Sequence, residues 1–86
     1  MEIRFTRAAR RHRISRESVR YVMAACDPST TTTRYGTPGW RYLGRDHAGR
    51  ELEVIAVVAT ERGQDYLLVI HVMPAKGTRS KEGGRR

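Results

Sequence analysis

The sequence predicts an α+β domain in which N-terminal helices pack on a small antiparallel β-sheet. Three observations lead there. Apolar residues recur at helical spacing near the N-terminus, three later segments alternate apolar and polar residues, and short stretches of turn-forming residues separate those segments. Residues 1–27 are Arg-rich, 28–39 read as a Pro/Gly/Thr loop, 40–73 are β-rich, and 74–86 are polar and basic. A single domain is expected over residues 1–79, with 80–86 as a basic flexible tail.

The helical zone is taken first. Thr6 can cap a short helix running to about His12, and Ser15 can cap a second, with Glu17 placed where a negative charge suits the helix dipole. Val19, Val22, Met23 and Cys26 recur at i, i+3, i+4, i+7 and form one buried stripe. Arg13, Arg16 and Arg20 fall on another face, and Asp27-Pro28 ends the helix. Cys26 is the sole cysteine, so no intramolecular disulfide and no cysteine zinc site can form. Its place on the stripe makes it a small core residue.

Trp40–Arg45, Arg50–Thr60 and Tyr66–Met73 read as three strands of a meander, joined by Asp46-His47-Ala48-Gly49 and by Glu61-Arg62-Gly63-Gln64-Asp65. Centring the first turn between His47 and Ala48 pairs Leu43 with Leu52 and Tyr42 with Glu53. Centring the second on Gly63 pairs Val58 with Leu68, Ala56 with Ile70 and Ile55 with His71. One face then collects Leu43, Leu52, Val54, Ala56, Val58, Leu68, Ile70 and Val72, and the helical stripe covers it. The open face collects Tyr42, Glu51, Glu53, Ile55, Val57, Leu67, Val69, His71 and Met73. A slip of one residue would bury Glu51 and Glu53, which argues for this register.

On the open face, Glu53 and His71 are diagonal neighbours, with Tyr42 close by. A phenol, a carboxylate and an imidazole together can move a proton near neutral pH. Arg45 and Arg50, at the strand ends, can hold a phosphate and offset charge developing on it. These are the parts that RNA cleavage by side chains alone requires. The alternative is that Glu53 and His71 are half-exposed strand residues bonded to each other. His12 is a second acid/base candidate or a helix-end residue, and His47 sits in a turn. No histidine pair or clustered acid set points to a metal, and 86 residues are too few to wall in a deep cofactor cavity. Neither a metal nor a cofactor is expected.

Seventeen Lys and Arg against nine Asp and Glu give a formal net charge of +8. Fifteen of the seventeen are Arg, whose planar fork grips phosphate and stacks on bases. The cations crowd residues 4–20 and the tail, where Lys76 and Arg79 lie. Trp40, Tyr35 and Tyr42 interleave as planes suited to an unpaired base. RNA is therefore the expected partner, and an acidic protein would answer the same field. The longest apolar run, Val54–Ala59, is far short of the roughly 20 residues that cross a bilayer. The N-terminus has no apolar stretch of the signal-peptide kind, and a cytoplasmic location is expected.

Three motifs in order carry a family resemblance. Arg11-His12-Arg13-Ile14-Ser15, running into Glu17 and Val19, resembles the segment that opens a helix in BrnT-like toxins of bacterial type II toxin–antitoxin systems. Arg41-Tyr42-Leu43-Gly44-Arg45-Asp46 and Gly49-Arg50-Glu51-Leu52-Glu53-Val54 resemble that family's Arg/Gly-patterned hairpin. Ala75-Lys76-Gly77-Thr78-Arg79, with Lys81-Glu82, is similar to its ending. The family's Asp-Pro-x-Lys entry to the first helix is absent, and Arg13 stands where it has glycine. The resemblance implies a RelE/ParE-like fold and an RNA-cleaving toxin acting on RNA, free or on the ribosome, and neutralised by a cognate antitoxin. His12, Arg45, Arg50, Lys76 and Arg79 occupy family-like positions, while Arg41 and Trp40 complete the expected RNA-binding set. Two alternatives stand beside this: a non-enzymatic binding module for nucleic acid or an acidic protein, and a gyrase-targeting toxin of the same fold.

Overall fold

A computed structural model of the protein describes residues 2–10 and 13–75. The proposed site residues His12, Lys76 and Arg79, and the tail 80–86, lie outside the described residues. The chain forms strand β1 (Glu2–Phe5), one 3-10 turn (Ala8–Arg10), helix α1 (Arg16–Ala25), and strands β2 (Ser29–Thr32), β3 (Pro38–Arg45), β4 (Glu51–Glu61) and β5 (Gln64–Pro74). The expected meander is present as β3–β4–β5. Two further strands extend it into a five-stranded sheet of order β1-β5-β4-β3-β2. Strand β1 runs parallel to β5 and the other pairs are antiparallel, so the sheet is mixed.

Strand β1 arises from the alternation Glu2-Ile3-Arg4-Phe5. Ile3 and Phe5 pair with Leu67 and Val69 and pack against the core, while Arg4 lies over the Tyr66 ring on the other face. The helix expected over Thr6–His12 is a single 3-10 turn, in which the Thr6 hydroxyl accepts from the Ala9 N–H at 3.2 Å. The chain has only residues 6–15 in which to leave β1 and return over the sheet. A continued helix would also stack Arg7, Arg10 and Arg11 within one turn, where like charges repel. Arg13 instead takes a positive φ of 57°.

Helix α1 forms as its sequence dictates. The Ser15 side chain caps it by accepting from the Ser18 N–H at 3.1 Å, and Glu17 lies in the first turn. Val19 and Val22 are buried, with Met23 and Cys26 packed beside them. They meet Tyr42, Leu52, Val54, Ala56, Val69 and Val72 of the sheet, together with Ala9 and Ile14. Gly44 makes the close approach possible: a Cβ there would run into Cys26 Sγ.

The register differs from expectation in two places, and each has a cause in a turn. Between β3 and β4, Tyr42 pairs with Val54, Leu43 with Glu53 and Gly44 with Leu52, one residue off the expected pairing. The turn closes on Asp46 and Arg50, because the Asp46 carboxylate accepts the N–H groups of both Ala48 and Arg50. That leaves a three-residue loop centred on Ala48. Tyr42 is consequently in the core, 7% exposed, and Leu43 is 45% exposed. Between β4 and β5, Arg62 and Gly63 both have positive φ, the signature of a two-residue type I′ turn. Glu61 therefore pairs with Gln64, and a bulge between Ile55 and Ala56 restores the expected register from Ile55↔His71 to the strand end. Ile70 is the extra residue, so Val69 rather than Ile70 or Leu68 enters the core. The alternation of β4 is as expected over its first half: Leu52, Val54 and Ala56 point inward, Glu53 and Ile55 outward. Val58, expected under the helix, is 51% exposed because the strand runs on past the end of the core.

Candidate nucleic-acid interface

The face of the sheet turned away from α1 carries a chain of charged side chains across β3, β4 and β5. Arg41 Nε donates to Glu53 Oε2 at 2.6 Å, and His71 Nε2 lies 3.1 Å from Glu53 Oε1. Strand alternation and the Ile55↔His71 pairing bring these three together from positions far apart in sequence. All three are part-buried, so their geometry is better fixed than that of a surface ion pair. Burial pushes the Glu53 carboxyl up, but hydrogen bonds and charge from Arg41 and His71 outweigh it, and the group sits below its ordinary range. Glu53 is thus an ionised orienting group. Among the described residues the ring's one hydrogen-bond contact is through Nε2.

His71 lines an open groove of about 500 Å³. Ile55 and Val57 of β4 and Ile70 beside His71 form its floor. Thr6 and Ala8, from the connection after β1, form one wall; Thr33, Arg34, Tyr35 and Thr37, from the turn between β2 and β3, form the other. The bulge is what turns Ile70 out of the core and into this groove.

The other expected site residues fall elsewhere. Tyr42 belongs to the core beneath α1, where burial raises its phenol pKa. It does not join Glu53 and His71, because the three-residue turn moves β3 by one position. Trp40 pairs with Ala56 and so shares the helix-bearing face, where it is exposed. Arg45 Nη1 donates to the Gly49 carbonyl at 3.1 Å, and its guanidinium lies 3.6 Å from Glu51. Arg50 pairs with Asp46 at 3.3 Å. Both arginines therefore brace the β3–β4 turn. Glu51 lies two residues from Glu53 on β4, about 7 Å along the strand, so Arg45 borders the site rather than entering it. Arg34, absent from the expected set, stands on the groove wall. Recognising it depends on seeing that Ser29-Thr30-Thr31-Thr32 is a strand, which makes Arg34-Tyr35 a hairpin tip.

No protein-family model, curated protein or solved structure matches this chain. Its own geometry is therefore the ground for a functional reading. Among the described residues, no three His, Cys, Asp or Glu side chains gather as a metal-binding group. No helix among them is long and apolar enough to cross a membrane.

Proposed function

We propose that the protein is a growth-arresting toxin that cleaves RNA through side-chain chemistry, similar to BrnT-like toxins, with a RelE/ParE-like fold and a cognate antitoxin as its partner. The hydrogen-bonded chain Arg41–Glu53–His71 beside an open groove carries this reading. Cleavage forms an O2′–P bond and breaks the P–O5′ bond. The 2′-OH proton passes to His71 Nδ1, and the leaving O5′ takes a proton from the imidazolium or from water. Glu53 holds the ring in place, and Arg41 in turn holds Glu53. Arg34 and the net charge of +8 attract the phosphate chain.

One observation favours the alternative, an RNA-binding module without activity. His71 is the single imidazole on the groove among the described residues, whereas cleavage moves two protons. Expression in bacterial cells separates the two. The wild-type chain should arrest growth, while His71→Ala and Glu53→Gln, produced at the same level, should not. Full toxicity of both variants would sink the site assignment.

A further inference from the structure

We infer that the Thr33–Thr37 turn is a stacking wall for one unpaired RNA base, with Tyr35 as the platform and Arg34 as the cation for the adjoining phosphate. This rests on the reading of the open face as an RNA site. Tyr35 is 83% exposed, the most exposed of the large hydrophobic side chains described. An aromatic ring left in water gains nothing for the fold. Yet the turn that bears it is tightly built. The Thr33 N–H donates to the Thr37 carbonyl at 2.8 Å, and the Thr33 carbonyl accepts from the Gly36 N–H at 2.9 Å. The Thr33 hydroxyl accepts from the N–H groups of Tyr35 and Thr37, at 3.3 and 3.2 Å. Tyr35 therefore stands on a preorganised support, which lowers the ordering cost of any contact it makes.

Its surroundings identify the ligand. The Arg34 guanidinium lies 5.7 Å from the centre of the Tyr35 ring, so a plane and a positive charge are presented together. Both residues border the groove whose floor is Ile55, Val57 and Ile70 and which His71 also lines. The flat face of a base would lie between that floor and the Tyr35 wall, with its phosphate between Arg34 and His71. The bases of a duplex are stacked on each other and cannot make this contact. The groove, about 500 Å³, lies within the range of about 300–1,000 Å³ usual for small-ligand sites.

The test uses a short 2′-O-methylated oligoribonucleotide, single-stranded or annealed to its complement, with binding followed by fluorescence anisotropy. Blocking the 2′-OH prevents cleavage, so stacking is read independently of whether the protein is an enzyme. Tyr35→Ala should lose about ten- to a hundredfold in affinity for the single strand and little for the duplex. Tyr35→Phe should bind as wild type. Thr33→Ala should weaken single-strand binding through the turn, and Thr33→Ser, which keeps the hydroxyl, should restore it. The inference is overturned if Tyr35→Ala binds the single strand as wild type does, or if it loses single strand and duplex alike. A cleavage-inactive protein that still shows the Tyr35 effect would contradict the enzyme reading and leave this one standing.

Discussion

Two carboxylates of this chain are held by nearly complete sets of partners, and they do different work. Glu53 has an ion pair on one oxygen and an imidazole on the other, at the edge of a groove. Asp46 has a fully buried side chain that accepts from the Ala48 and Arg50 N–H groups and from the Arg50 guanidinium. Burial raises the Asp46 pKa, but these bonds outweigh it and hold the group below its ordinary 3.8. Its folded value is depressed, so its stabilisation is complete above about pH 3.8 and is lost as the pH falls through the folded value. Asp46→Asn should cost about 2–3 kcal/mol at neutral pH, read as a lower urea midpoint. It should also flatten the fall in stability below about pH 4. An unchanged midpoint would show that the Asp46 bonds do not hold the β3–β4 turn together. The pair Glu53–His71 is legible in the sequence because β4 and β5 keep the expected register at Ile55↔His71. The place of Tyr42 is not, since a three-residue and a four-residue turn fit the same Asp46–Gly49 stretch equally well.

Among the elements, α1 is the most legible: Ser15, Glu17 and the Val19/Val22/Met23/Cys26 stripe specify its start, polarity and buried face. Strand β1 is hidden because Glu2-Ile3-Arg4-Phe5 is short, and its pairing with residues 66–69 is the most distant in the sheet. The bulge at Ile70 is hidden for a different reason. It reconciles a two-residue turn at Arg62-Gly63 with a core alternation set from the other end of β5, and neither constraint is visible from the other. Gly44 shows how tightly the helix and sheet are joined. Gly44→Ala should destabilise the fold by about 1–3 kcal/mol through overpacking against Cys26. Cys26→Ala, combined with Gly44→Ala, should recover part of that loss, since the clash is with the sulfur. Thermal unfolding of the single and double variants checks both. Equal loss in the two would mean that the contact with Cys26 is not what Gly44 protects.

At the scale of the molecule, one helix covers one face of a mixed sheet and leaves the other face to carry a groove and a charged chain. The sequence makes the α+β class and the Glu53–His71 pair of the open face readable. It does not reveal the groove, whose walls come from a 3-10 turn and a hairpin tip that exist only once β1 and β2 flank the meander. A net charge of +8 would attract RNA but cannot by itself break a phosphodiester bond. In the proposed reading that step falls to His71 with Glu53 behind it. The direct measurement is incubation of purified protein with unlabelled cellular RNA in the presence of a metal chelator, followed by analysis of the RNA ends. The account predicts fragments ending in 2′,3′-cyclic phosphate, with the rate lowered about a hundredfold or more in His71→Ala and by a smaller factor in Glu53→Gln. RNA that the wild-type protein binds but leaves intact, or cleavage that His71→Ala performs at the wild-type rate, would contradict it.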